Sequence, residues 1–163
     1  MTGYVDPAEF CADSRVLDLI AVLQEAVQNR DGGQLAGIVS PRGLYVAQHS
    51  DVSVFLTPNE VVNFFDDNTP HDWSRKDVGS SQVLTESLAE NISIACNDNQ
   101  DSLSLREVLY AVRIPGYEAR NFYSIFRPGE PGFELEWGAW GLVIEYWDDQ
   151  PVLMALGYYV WTP

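Results

Sequence analysis

The fold is decided by the sequence WGAWGLVIEYWDDQPVLMALGYYVW, which spans residues 137–161. β-Branched and aromatic residues fill both of its arms, and turn-forming residues are concentrated in its middle, at Asp148 and Asp149. Side chains of the first kind pack well on a pleated surface, and a short polar break between two such runs is typical of a hairpin. The pattern therefore predicts two long β-strands joined by a two-residue turn.

A two-residue turn also predicts which residues of this hairpin lie opposite each other. The expected pairs are Glu145 with Val152, Val143 with Met154, and Gly141 with Leu156. One face would carry Ala139, Gly141, Val143, Met154, Leu156 and Tyr158, and the other Trp140, Leu142, Ile144, Leu153, Ala155 and Tyr159. Neither face is polar, so both faces need to be covered.

Helices of the same chain can cover only one face of such a hairpin. Leaving Trp140, Leu142, Ile144 and Tyr146 in water would forgo about 6–12 kcal/mol, at about 1.5–3 kcal/mol for each large side chain. That amount is comparable with the whole stability of a domain, about 5–15 kcal/mol. We therefore expect a second cover: another copy of the chain, the irregular segment 66–82 or a bound apolar ligand.

Helical periodicity dominates the first part of the chain, and strand patterns dominate the rest. Asp13 or Ser14 can cap a helix that ends before Asp31, with apolar positions at Val16, Leu19, Ile20, Leu23, Ala26 and Val27. Further helices are predicted over 34–39, 57–65 and 84–94, and strands over 44–48, 52–56, 106–114 and 122–127. This order predicts an α+β fold, a curved antiparallel sheet with N-terminal helices packed on one face. Residues 1–13 would be an N-terminal extension, and residues 14–163 a single domain.

The charge of the chain excludes two classes of partner. It has 24 acidic and 9 basic residues, a net charge of −15. Such a surface repels the phosphates of nucleic acids and anionic lipid headgroups. We expect no nucleic acid partner and no membrane partner, and the sequence contains no run of 18 apolar residues.

Two cysteines, Cys11 and Cys96, lie beside polar residues rather than in apolar periodic stretches. If they pair, the closed loop of about 85 residues would stabilise the fold by about 4–5 kcal/mol on the chain-entropy model. The alternative is two free thiols. A disulfide would indicate an oxidising compartment, and hence an extracytoplasmic or secreted protein if a leader has been removed.

The sequence resembles the nuclear-transport-factor-2-like superfamily, the cone-shaped α+β fold of ketosteroid isomerase and small polyketide cyclases. The resemblance lies in LQEAVQNRD from Leu23, in LAGIVSP from Leu35 and in the long closing strands. The chain is also similar to a group of bacterial extracytoplasmic domains, in which a Ser-Pro segment precedes Gly-Leu-Tyr-Val and a Trp-containing loop such as 71–73 follows a helix. The resemblance implies a cavity between the sheet and the first helices, and dimerisation through the sheet. It implies no reaction, because this fold hosts enzymes and binding domains alike.

Catalysis of the ketosteroid isomerase type needs a carboxylate that faces an apolar cavity, with a tyrosine opposite. Glu107 shares a strand face with Leu105 and Leu109 and is the candidate for this position, although a surface position on an edge strand is the alternative. Glu145 lies near the turn, where solvent is expected. No Asp matches the position of the family's base.

Aromatic residues are the candidates for a pocket or partner surface, and a role in the core is their alternative. The candidates are Trp73, Trp137, Trp140, Tyr123 and Tyr146, together with Glu107. His49 and His71 lie in predicted loops, so no metal site is expected. No glycine-rich fingerprint for a dinucleotide or phosphate occurs, so no cofactor is expected.

These patterns favour a non-catalytic domain, dimeric through its sheet, with a pocket for a small apolar or aromatic molecule. The alternative is an isomerase, cyclase or dehydratase that uses one buried carboxylate. A carboxylate hydrogen-bonded across an open cavity from a tyrosine would favour the enzyme.

Overall fold

The computed structural model describes residues 5–48, 52–66, 71–72, 77–78, 93–96, 121–127, 131–132 and 138–160. Four helices lie in these ranges: α1 (Pro7–Ala12), α2 (Ser14–Asn29), α3 (Gly32–Ile38) and α4 (Pro58–Val61). The strands are β1 (Leu44–Gln48), β2 (Val52–Leu56), β3 (His71–Asp72), β4 (Asp77–Val78), β5 (Ser93–Cys96), β6 (Asn121–Arg127), β7 (Gly138–Trp147) and β8 (Gln150–Val160).

Six of the strands form one sheet in the order β2-β1-β8-β7-β6-β5, and β3 pairs with β4 separately. The helices come early in the chain and α2 packs against the sheet, so the predicted α+β fold class is confirmed. Pairing within the large sheet is antiparallel, with the exception of β1 and β8, which run parallel. The antiparallel prediction did not anticipate this pair, because a parallel neighbour is joined by a long crossover that leaves no local signal.

The hairpin β7-β8 turns at Asp148 and Asp149, as predicted. Both residues have positive φ angles, 48° and 65°, which is the geometry of the tight turns that match the twist of paired strands. The predicted pair of Glu145 and Val152 is also present. The sequence therefore determined this turn correctly.

A β-bulge between Val143 and Ile144 shifts the register in the rest of the hairpin. Val143 pairs with Ala155 rather than with Met154, and Gly141 pairs with Gly157 rather than with Leu156. The two latter predictions were wrong by one residue, because a bulge inserts an extra residue into one strand. Leu156 consequently joins the core beside Leu142, and Ala155 moves to the opposite face.

Both faces of the hairpin are buried within a single chain. On the face towards α2, Trp140 is 2% exposed and belongs to the main core with Phe10, Leu142, Ile144, Tyr146 and Leu156. On the other face, Val143, Met154 and Ala155 form a second buried cluster, on which Tyr45 packs. Neither face of the hairpin is exposed to solvent at these positions, as expected. A second copy of the chain is not needed to bury them.

The helix α2 begins and ends where its periodicity predicted. All six of its predicted apolar positions are buried, and Asp13 caps its first turn by accepting from the Arg15 N–H at 3.0 Å. The helix α4 is shorter than predicted, because it ends at Val61 and the chain continues in turns as far as Asp66. Phe64 and Phe65 are nevertheless buried.

Residues 5–12, the described part of the predicted N-terminal extension apart from Asp13, pack into the domain. Pro7 stands in the first turn of α1, Asp6 caps it, and Phe10 is fully buried in the main core. Asp6 and Pro7 are local start signals, but six residues are too few for a helical period to be read from the sequence, so α1 also depends on tertiary packing. Of the predicted helix over 84–94, Ser93 and Ile94 lie in β5 instead. Its other residues and the predicted strand over 106–114 lie outside the described residues.

Candidate functional site

Three of the residues predicted for a pocket or partner surface meet on one face of the sheet. Tyr123 on β6 and Trp140 and Tyr146 on β7 all face α2 in the main core. All three are buried, so they line the interior rather than an open surface. Trp73, Trp137 and Glu107 lie outside the described residues.

A polar cluster forms where this face meets the start of α2. The Tyr146 hydroxyl donates a hydrogen bond to Asp13 Oδ2 at 2.7 Å. The Arg15 guanidinium donates to the same carboxylate, from Nη2 to Oδ2 at 2.8 Å and from Nε to Oδ1 at 3.0 Å. Arg15 also donates from Nη1 to the Asp149 carbonyl oxygen at 2.8 Å, so the cluster ties the start of α2 to the hairpin turn.

These contacts hold Asp13 as an anion. Hydrogen bonding from the Arg15 side chain lowers the pKa of Asp13 from 3.8 to about 2. Desolvation opposes this shift, and the hydrogen bond from Tyr146 adds to it. Burial, followed by the hydrogen bond to the Asp13 anion, raises the pKa of Tyr146 well above 10. At neutral pH, Asp13 is therefore ionised and Tyr146 is protonated.

Tyr123 is a second neutral phenol in the same part of the core. Burial, and then the negative charge of Asp13, raise the pKa of its hydroxyl. Its ring lies 5.5 Å from that of Phe10, at an interplanar angle of 58°. The phenols of Tyr123 and Tyr146 can donate hydrogen bonds, but neither releases a proton near neutral pH.

A second polar cluster surrounds Glu145, which the sequence analysis placed in solvent. Glu145 is only 5% exposed. The buried Ser40 hydroxyl donates to its Oε1 at 2.7 Å, and the Arg42 guanidinium pairs with its Oε2. That expectation was wrong, because the connection between α3 and β1 lies over this end of the hairpin.

Backbone contacts explain why that connection lies there. The Ser40 N–H donates to the Leu153 carbonyl oxygen at 2.8 Å, and Val39 forms a parallel bridge with Leu153. Gly43 follows with φ of 122°, and a Cβ atom at this position would lie 2.4 Å from the Leu56 carbonyl oxygen. Only glycine is accommodated in this turn. The sequence showed Ser40 and Pro41 as a helix stop and gave no sign of their contact with Glu145.

A third feature fixes the N-terminal end of the domain. Cys11 on α1 and Cys96 on β5 form a disulfide, with Cα atoms 5.8 Å apart. The Asn121 side chain accepts from the Val5 N–H at 3.0 Å and donates to the Val5 carbonyl oxygen at 2.9 Å. Asn121 is 2% exposed, so these bonds satisfy a buried amide.

The described ranges contain neither a cluster of metal-binding side chains nor a membrane-spanning helix. Among those residues, no group of three His, Cys, Asp or Glu side chains could hold a metal ion. His71 lies in β3 rather than in a loop, and His49 lies outside the described residues. None of the described helices is long and apolar enough to cross a membrane.

Comparison with known proteins gives a distant structural similarity. No protein family matches the sequence, and no curated protein does. Among solved structures, the chain is similar to a protein from Streptomyces avermitilis described as a candidate dehydratase of the nuclear-transport-factor-2-like family. The TM-score is 0.44 and the identity 10%, over 95% of this chain and 98% of the other. No reaction, ligand or partner follows from this similarity.

Proposed function

We propose that this chain is a non-catalytic binding domain for a small apolar or aromatic molecule. The observation that carries the proposal is the direct hydrogen bond between Tyr146 and Asp13 at 2.7 Å. An isomerase of this fold would need its carboxylate and its tyrosine on opposite sides of a bound substrate. Here the two groups contact each other, and no room for a substrate lies between them.

The electrostatics of Asp13 argue in the same direction. A general base works best when its pKa lies near the operating pH. The pKa of Asp13 is lowered to about 2, chiefly by Arg15, so this carboxylate is a weak proton acceptor at neutral pH. Asp13 and Tyr146 thus stabilise the fold rather than transfer protons.

The support for the binding part of the proposal is the aromatic composition of the inner sheet face, whose rings are themselves buried. Phe10, Tyr123 and Trp140 present rings to the same part of the core, and the phenol of Tyr123 supplies a hydrogen-bond donor. Pockets for small molecules are typically apolar and aromatic, with a few polar groups that orient the ligand. A screen of aromatic and apolar compounds by thermal shift and tryptophan fluorescence should find ligands that raise the Tm without being converted.

Titration of Asp13 tests the non-catalytic part of the proposal. Carboxyl carbon NMR should show a pKa for Asp13 well below 3.8. A pKa between 5 and 8 would contradict the proposal and favour a general base. Conversion of any bound compound by the wild-type protein would contradict it independently.

Dimerisation through the sheet is part of the proposal. Its support is Phe55 on β2, which is 44% exposed and packs against Tyr45 with ring centroids 4.7 Å apart and ring planes tilted by 52°. A partner at this end of the sheet would cover the ring. Light scattering at micromolar concentration should give a dimer for the parent and a monomer for Phe55→Asp, and a monomeric parent would overturn this part.

The alternative function is an isomerase, cyclase or dehydratase that uses Glu145. Its support is the burial of Glu145 beside the Ser40 hydroxyl. This function requires an activity that disappears in Glu145→Gln while the far-UV circular dichroism spectrum stays unchanged.

A further inference from the structure

Three anchors among the described residues hold the N-terminal segment of residues 5–12, called here the strap. The first is the pair of hydrogen bonds between Val5 and the Asn121 side chain. The second is the Phe10 ring, which is fully buried against Tyr123. The third is the disulfide between Cys11 and Cys96, which joins α1 to the edge strand β5.

The first two anchors have the chemistry of a peptide-binding slot. The Asn121 amide offers one acceptor and one donor to the N–H and C=O of a single residue, as a neighbouring β-strand would. This contact recognises peptide backbone whatever the side chain. The space beside Tyr123 holds an aromatic ring five residues further along the strap. The two contacts together fit a peptide whose first residue pairs with Asn121 and whose aromatic side chain is carried on the helical turn that follows, as Phe10 is on α1.

The strap has a defined point at which it can separate from the rest of the fold. Asp13 lies between α1 and α2, caps α2, and is fixed by Tyr146 and Arg15. The Asp13 N–H donates to the Phe10 carbonyl oxygen at 3.1 Å, and this is a backbone bond that must break when the strap leaves. The contacts of Asp13 with α2 and β7 do not involve the strap, so they remain when the strap leaves.

The order of the strap depends on its anchors. The helix α1 has six residues, whereas isolated helices shorter than about 12–15 residues are marginal in water. Only one of these three anchors is covalent, and both of its cysteines are partly buried rather than fully enclosed. Reduction of this disulfide therefore removes the strongest of the restraints on the strap.

We propose that the strap is a redox-released plug of a peptide-binding slot formed by Asn121 and Tyr123. A dithiol supplies two electrons and two protons, the Sγ–Sγ bond between Cys11 and Cys96 breaks to give two thiols, and the dithiol becomes a disulfide. The strap then swings out at Asp13. The vacated slot takes a peptide whose backbone pairs with Asn121 and whose aromatic residue, five positions further on, lies on a helical turn.

This inference rests on the proposed binding function, but the two fail in different experiments. A small-molecule screen on the oxidised protein tests the binding function and does not require the strap to move. Release of the strap is measured by hydrogen exchange on the full chain before and after treatment with dithiothreitol. That measurement needs no ligand.

The expected result of the exchange experiment is local opening. The amides of Phe10 and Asp13, which donate within the strap and at its end, should exchange at least about tenfold faster after reduction. The Val16 amide, which donates to the Asp13 carbonyl oxygen, and the amides of β7 should keep their rates. Unchanged rates in the strap would overturn the proposal. Loss of protection in α2 and β7 would overturn it too, because the disulfide would then hold the whole domain.

A peptide added in trans tests the slot. The probe is a fluorescein-labelled peptide of residues 5–12 with serine in place of Cys11, titrated onto reduced Phe10→Ala protein, whose own strap lacks the ring. Saturable binding should appear by anisotropy, and a control peptide with F10A should bind at least about tenfold more weakly. Oxidised wild-type protein should not bind the probe. Protected β7 amides in the variant confirm that it is folded, and absence of binding to the folded variant would overturn the peptide-binding slot.

Discussion

Substitution of Glu145 by glutamine tests the polar cluster that the sequence did not predict. The change keeps the shape of the side chain and removes the charge that accepts from the Ser40 hydroxyl at 2.7 Å. A hydrogen bond to a charged group contributes about 1.5–3 kcal/mol, and one between neutral groups about 0.5–1.5 kcal/mol. The difference for this buried bond is therefore about 1 kcal/mol.

The ion pair with Arg42 adds less to this figure. The Arg42 side chain is 44% exposed, and exposed ion pairs contribute about 0–1 kcal/mol. We expect Glu145→Gln to lose about 1–2 kcal/mol in the free energy of unfolding, which corresponds to about 2–8 °C in Tm for a chain of this size. Ser40→Ala takes one donor from a buried carboxylate and should lose about 1–3 kcal/mol.

Urea denaturation of the oxidised protein, followed by circular dichroism, measures these changes. Glu25→Gln is the matched control, because exposed Glu25 accepts one hydrogen bond, from Gln34 at 3.1 Å. Its effect should stay within about 0.5 kcal/mol. In the double variant Ser40→Ala with Glu145→Gln, the two losses should fail to add by about 1 kcal/mol. The reasoning is refuted if both single variants match the Glu25→Gln control.

Three further predictions concern the start of α2 and the hairpin turn. The folded pKa of Asp13 lies below its usual value, so its contribution is present above pH 4 and is lost as the pH falls towards 2. In Asp13→Asn, the free energy of unfolding should therefore fall by about 1–2 kcal/mol less than in the parent between pH 4 and pH 2. This figure follows from about 1.36 kcal/mol per pKa unit, reduced by screening from solvent. Parallel pH profiles of the variant and the parent would contradict the ion pairing. Tyr146→Phe should lose about 1–2 kcal/mol in urea titrations and raise the pKa of Asp13, since it removes a hydrogen bond to the anion; an unshifted pKa would show that this bond is weak. Asp149→Gly should gain about 0.5–1 kcal/mol in the free energy of unfolding, because glycine adopts the φ of 65° at this position without strain. Asp149→Val should lose stability, because a β-branched residue does not. A higher Tm for Asp149→Val than for Asp149→Gly would disprove the turn geometry.

The elements that the sequence determined depend on short-range interactions. The helix α2 follows from an apolar period of 3.6 residues and an Asp cap, and the turn at Asp148 and Asp149 follows from two polar residues between strand-forming runs. The strand bounds of β1 and β2 were predicted to the residue. In each case the residues that interact are close in the chain, so their pattern is visible in a short window.

Tertiary structure decided the features that join distant parts of the chain. Tyr146 and Asp13 are 133 residues apart, and Ser40 and Glu145 are 105 apart, so no local pattern relates them. The bulge lies between Val143 and Ile144, and it reversed the face that strict alternation had predicted for the β8 residues beyond it. The α+β class could therefore be predicted from the sequence. The contacts of Asp13 and Glu145, and the burial of Phe10 in the core, could not, because they depend on which distant surfaces meet when the chain packs.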